Sequence, residues 1–219
     1  MISTYPNPRF PAAMLGLVVV LCLLTGARPA AGHESWLLEV GPGLVGVGVL
    51  VATYRRFPQT PLVYVCTVLH LCILMYGGFY TYAKVPLGEW VKEALHLHRN
   101  HYDRVGHLAL GFFPVPVTRE LLLRTSPLRR GGWLAFLVFS VLFAIGAFWE
   151  LLEWWTTLLV AGDVGQAFLG AQGDVWDAQW DMFLVGVGAV LGLLVWPRLH
   201  DRQLARLAAD GAPHPPPAG

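Results

Sequence analysis

The sequence predicts an all-α fold, a polytopic transmembrane helix bundle of about six spans with one interfacial amphipathic helix, and three observations carry that expectation. Hydrophobic residues are 55% and charged residues 13% of 219 positions, with a mean hydropathy of +0.53, too apolar and charge-poor for an ordinary soluble domain. Several apolar runs approach or reach the about 20 residues that a helix rising about 1.5 Å per residue needs to cross a hydrocarbon core about 30 Å thick. Between the runs lie prolines and clustered arginines, which end helices and mark the membrane edge.

The first run, about residues 12–26, follows Arg9 and precedes the small residues Ala30, Ala31 and Gly32, so it reads as a span or as a cleaved signal peptide. The second and third, about 36–53 and 62–80, flank Arg55, Arg56 and two prolines and read as a helical hairpin. The fourth, about 102–123, contains Asp103, Arg104, His107, Pro114, Pro116, Arg119 and Glu120, and must line the bundle interior. The fifth, about 133–160, carries Glu150 and Glu153 and is long enough to span with tilt. The sixth, about 179–196, begins near Asp181 and stops at Pro197. Ahead of the fourth, Leu87, Trp90, Val91, Ala94 and Leu95 recur at helical spacing against Glu89, Lys92, Glu93 and His96, the pattern of the interfacial helix.

Residues 1–200 therefore read as one transmembrane domain and 201–219, which end in Pro-Pro-Pro-Ala-Gly, as a disordered cytoplasmic tail. Glycines 43, 46 and 48 lie within a span, where small residues let helices approach closely. A net charge of +1 gives no basic surface for nucleic acid; the expected partner is membrane lipid. Cys22, Cys66 and Cys72 all sit in apolar runs, which argues against a disulfide framework.

Orientation follows from the positive-inside rule. One alternate set of loops holds Arg9; Arg55 and Arg56; Arg124, Arg129 and Arg130; and Arg198, Arg202 and Arg206, and that set is assigned to the cytoplasm together with the C-terminus. The acidic clusters of spans four, five and six then fall in the outer leaflet. Asp103 and His107 are four apart, Glu150 and Glu153 three apart, and Asp174, Asp177 and Asp181 follow at i, i+3 and i+7, so each set shares a helix face.

Several carboxylates buried without partners are costly, so they must be protonated, paired or bound to a metal. Carboxylates and imidazole on facing helices suit Zn²⁺, Mn²⁺ or Fe, and the candidate ligands are His107, Glu150, Glu153, Asp181 and Asp103, with Asp177 or His101 moving protons. The spacing matches no strict metal signature. The bland alternative is that Arg99 and Arg104 neutralise Asp103, Glu150 and Asp177, with Trp149, Trp154, Trp176 and Trp180 as interface anchors. On that reading His70 is a satisfied core histidine, Arg119 and Glu120 pair at the inner rim, and His96, His98 and His101 are solvated loop residues.

The stretches 99–107 (RNHYDRVGH), 119–130 (RELLLRTSPLRR), 148–155 (FWELLEWW) and 170–182 (GAQGDVWDAQWDM) resemble the YjdF family of bacterial inner-membrane proteins, as do 52–58 (ATYRRFP) and 80–83 (YTYA). The resemblance runs from about Trp36 to Gln203. It implies a multi-pass plasma-membrane protein and supplies no catalytic residues, the family being a domain of unknown function. The order Asp103-Arg-Val-Gly-His107, Glu150-Leu-Leu-Glu153 and Asp177-Ala-Gln-Trp-Asp181 also resembles VanZ-like membrane proteins, with Asp181 where that pattern has Asn. Three functions remain open: a metal-dependent hydrolase or transferase acting on an envelope or lipid-linked substrate, a proton-linked transporter, and a non-enzymatic assembly or resistance factor.

Overall fold

Five helices are long and apolar enough to cross a membrane among residues 8–159 and 169–209, which the computed structural model describes. They are α1 (Arg9–Gly26), α2 (His33–Thr53), α3 (Pro61–Tyr80), α7 (Gly132–Leu159) and α8 (Asp177–Val195). A short 3₁₀ turn (Tyr82–Lys84) and α4 (Pro86–Ala94) connect α3 to α5 (Tyr102–Phe112) and α6 (Val115–Thr125), and α9 (Pro197–Ala209) closes the described chain. Leu87, Trp90 and Leu95 of the α4 region are all exposed, as an apolar face laid on the bilayer interface requires.

The fourth segment differs from expectation, because α5 and α6 are separate helices of 11 residues each and not one continuous span. Phe113 and Pro114 keep right-handed helical dihedrals, so the chain bends and does not reverse. Pro114 and Pro116 lack the N–H groups that the carbonyls of Leu110 and Phe112 would accept. Trp196 repairs one of the losses: its Nε1 donates to the Phe112 carbonyl at 3.1 Å. A freed carbonyl inside a bilayer must find such a partner.

Two lobes share α3. Val18, Val40, Val68, Leu71 and Met75 form the core of α1–α3, and Val115, Leu134, Val138, Leu142 and Ala189 that of α6–α8. The closest packing in the second lobe is α5 against α8. A Cβ at Gly111 would stand 2.0 Å from the Val185 carbonyl oxygen, and one at Gly188 would stand 2.1 Å from that of Leu108. Only glycine permits this approach, and it brings the stripe Asp103, His107, Gly111 of α5 onto the stripe Asp181, Val185, Gly188 of α8. Of the α2 glycines, Gly43 does allow close packing, since its Cβ would meet Leu71 at 2.8 Å, whereas a Cβ at Gly46 or Gly48 meets nothing within 4 Å.

The expected disordered tail begins too early. Helix α9 continues to Ala209 and docks through buried His200 and Leu207 and through Gln203, whose Oε1 accepts the Leu62 N–H at 2.8 Å. Residues 210–219 lie outside those described. The expected Arg119–Glu120 pair is also replaced by a wider network. Glu120 accepts from the Thr60 N–H (3.1 Å) and hydroxyl (2.8 Å), pairs with Arg124 at 2.5 Å and meets His200 Nε2 at 3.1 Å. Arg119 turns instead to His200 Nδ1 at 2.7 Å and to Asp201 at 3.1 Å.

Candidate functional site

Asp103 and His107 stand one turn apart at the start of α5, and α8 presents Asp181 to them across the glycine contact. One ligand-capable atom from each of the three lies within 4.8 Å of the other two, and all three residues are buried. His107 Nδ1 is 3.4 Å from Asp103 Oδ1 and 3.5 Å from Asp181 Oδ1. The other ring nitrogen, Nε2, faces Glu150 Oε1 on α7 at 2.9 Å. Nε2 of His107, Oε1 of Glu150 and Oδ1 of Asp181 are buried without a hydrogen bond of acceptable geometry.

This arrangement sorts the candidate ligands. An imidazole nitrogen has one lone pair or one proton, so a cation on Nδ1 shared with Asp103 and Asp181 would leave Nε2 to carry the proton and face Glu150, 2.9 Å away. With a cation there, Glu150 would stand as an orienting partner of the histidine, the role carboxylates commonly play behind metal-bound imidazole. Glu153 is buried too, and its carboxylate accepts the Trp149 indole N–H at 2.7 Å.

The bland alternative holds for Asp177, which Arg99 neutralises, and not for Asp103 or Glu150, whose ion pairs among the described residues are with His107. Arg99 pairs with Asp177, lies 3.5 Å from Asp174 and donates to the Gly170 carbonyl at 3.2 Å. Arg104 pairs with Asp174 at 2.6 Å and lies 5.5 Å above the Trp180 ring. Gln172 completes this rim by bonding both backbone groups of Asn100, at 3.0 and 2.8 Å. The long stretches 99–107 and 170–182 thus form a latch, and both guanidinium groups are spent on it. Among the ion pairs of the described residues, His107 is the one basic side chain that reaches Asp103, Glu150 and Asp181.

The two proton-moving candidates sit on that rim. Asp177, one turn above Asp181, is committed to Arg99. His101 is half-buried, with Nδ1 3.2 Å from Arg104; burial, and then the charges of Arg104 and Arg99, lower its pKa from the ordinary value. Asp174 is lowered as well, first by the Trp176 backbone N–H and further by the two arginines. Trp154, Trp176 and Trp180 are exposed, as interface anchors are.

Beside the cluster lies a cavity of about 330 Å³ lined by Glu39, Tyr82, Asp103, His107, Trp149 and Glu153 among others. Glu39 was not anticipated. It is 4% exposed on α2, and a lone acid within an apolar run was the signal that could have found it. His70 also lines this cavity, and it is not the satisfied core histidine expected: its Nε2 is buried without a partner.

Comparison with known proteins matches residues 10–202 to a family described as "Predicted membrane protein (DUF2238)". The chain is 46% identical over 190 residues to the inner membrane protein YjdF of Escherichia coli (strain K12), covering 87% of this chain and 90% of that relative. No solved structure matches it.

Proposed function

We propose, from the premise that this chain belongs to the YjdF family of multi-pass bacterial inner-membrane proteins, that Asp103, His107 and Asp181 hold a divalent metal, Zn²⁺, Mn²⁺ or Fe²⁺. The protein uses it to hydrolyse or transfer a group on an envelope or lipid-linked substrate. The observation that carries the reading is the convergence of these three buried donors within 4.8 Å, where among the ion pairs of the described residues no arginine reaches the two acids. Two carboxylates and one imidazole leave coordination positions for water or substrate. Glu150 orients His107 through Nε2, and Glu39 and Glu153 face the adjoining cavity as candidate proton acceptors. By the distribution of arginines, the centre opens to the extracytoplasmic side and α9 lies in the cytoplasm.

The test is elemental mass spectrometry of the full chain purified in detergent without a histidine tag. Wild type should carry close to one metal per chain, and Asp181→Asn and His107→Gln should carry none while remaining folded. A thermal melt supplies a second sign. Metal at a hundred times its dissociation constant should add about 2.7 kcal/mol of stability to wild type and nothing to Asp181→Asn. In the metal-free state the same variant should melt no lower than wild type, because it removes one carboxylate from a crowded set. A metal-free wild type that chelators and added metal leave unmoved would end the reading.

A second reading, proton-linked transport, draws on the break at Pro114 and on His70 beside it, because interrupted helices with polar neighbours are transporter features. Proton flux in liposomes that disappears in His70→Phe would favour it. The third function, assembly without chemistry, expects Asp181→Asn and Glu150→Gln to alter stability alone.

A further inference from the structure

A second cavity, about 490 Å³, runs on from the one beside the metal centre. The two share Gly43, Gly46, His70, Leu74 and Pro114 in their walls. The larger one is a crevice with α3 as its floor, from Val63 to Leu74, α2 as one wall and the bend at Phe113–Pro114 with α6 as the other. Its far end reaches Thr53, Phe57 and Gln59.

We propose that this crevice holds the hydrocarbon tail of an amphiphilic substrate whose anionic headgroup reaches Asp103, His107 and Asp181. The inference rests on the metal reading for the headgroup and names the substrate class for that centre. Three features support it. The acids and His107 stand at the end that joins the smaller cavity, where a cation would attract an anion, while Val49, Leu50, Val63, Leu71, Val117 and Leu121 line the length with apolar surface, and the hydroxyls of Thr53, Thr67 and Thr125 are spent on carbonyls of their own helices. From Leu74 to Val63 the floor extends roughly 16 Å at about 1.5 Å per residue, about half of a hydrocarbon core some 30 Å thick and so one lipid tail's depth. Gly46 faces open space, so the wall is hollow where a side chain would fill it. Two polar atoms interrupt the lining, His70 Nε2 and Gln59 Oε1, both without partners. A tail leaves them unsatisfied, and a file of water would not, which sets the competing occupant.

The experiment uses the full chain reconstituted in phosphatidylcholine vesicles with a trace of phosphatidic acid bearing a diazirine near the end of one tail. After photolysis, peptide mapping should place crosslinks on the crevice walls at Cys66, Thr67, Val117 and Leu121. Gly46→Leu should lower these crosslinks about tenfold, roughly the loss of two buried methylenes. Gly48→Leu, on the same helix and equally open but outside both cavities, should leave them unchanged. Val117→Trp fills the crevice from the opposite wall and should repeat the loss if Gly46→Leu does not fold. Crosslinks spread over the outer helix faces and indifferent to both filling variants would overturn the proposal. Proton flux that depends on His70 with no crosslink inside the crevice would assign it to water and overturn it equally. If the crevice crosslinks survive in a wild type that binds no metal, the tail site stands and the metal reading falls.

Discussion

At the scale of single residues, the proposed centre turns on where two arginines are not. Arg99 and Arg104 close a latch with Asp174 and Asp177 at the membrane edge, and one turn deeper the carboxylates of Asp103, Glu150 and Asp181 are left with His107. Burial, with the same arginines behind it, lowers the His101 pKa. A histidine whose folded pKa lies below its unfolded value contributes stability that is complete above the unfolded pKa and is lost as pH falls through the folded one. Burial, Arg104 and Arg99 all lower it, and Asp174 and Asp177 oppose them more weakly. The detergent melting temperature should therefore fall between pH 7.5 and pH 5, and His101→Gln should flatten that slope. A slope unchanged by the substitution would place the titration elsewhere. The i, i+4 and i, i+3 spacings of Asp103 with His107 and of Glu150 with Glu153 were legible in the sequence, because helical periodicity follows from spacing alone. Which arginine meets which acid was not, because the Arg99–Asp177 and Arg104–Asp174 contacts join distant parts of the chain.

At the scale of elements, the bend between α5 and α6 is held by a side chain that belongs to neither. The Phe112 carbonyl, which Pro116 cannot serve, accepts from Trp196. Trp196→Phe should cost about 1–3 kcal/mol, the usual penalty for stranding a buried acceptor. Pro116→Ala restores an N–H at the right place, so in that background the same substitution should cost less, and a double-mutant cycle by thermal melt reads the difference. Additive costs would mean that the indole bond does no work. Apolar length was enough to foresee α3, α7 and α8, whereas the prolines of the fourth segment announced a disturbance without saying that two helices of 11 residues would result. Helix α9 escaped notice because its docking face is His200, Gln203 and Leu207, and two of these three attach by polar contacts that no count of apolar residues registers.

At the scale of the whole molecule, a polar fastening closes each end of the bundle and an apolar crevice separates them. The inner fastening joins α9, α6 and the start of α3 through Glu120, which is 0% exposed and meets Thr60, Arg124 and His200. Glu120→Gln should cost about 3–5 kcal/mol, since it leaves a buried guanidinium without its counter-charge. It should also expose α9 to trypsin at Arg198, Arg202 and Arg206 while metal content at the other end stays as in wild type. Protection equal to wild type would show that apolar contacts alone hold α9.

The glycine seam between α5 and α8 also bears on how the protein enters the membrane. Helix α5 carries Asp103, Arg104 and His107, charges that a lone helix cannot keep in lipid without a large penalty, and its polar stripe is covered only when α8 lies against Gly111. Because α8 is synthesised after α5, the growing chain must hold α5 at the interface, or in the insertion machinery, until α8 emerges. Chain order therefore makes the assembly of the centre the final event of insertion, and the pathway cannot bury those acids before their partner exists.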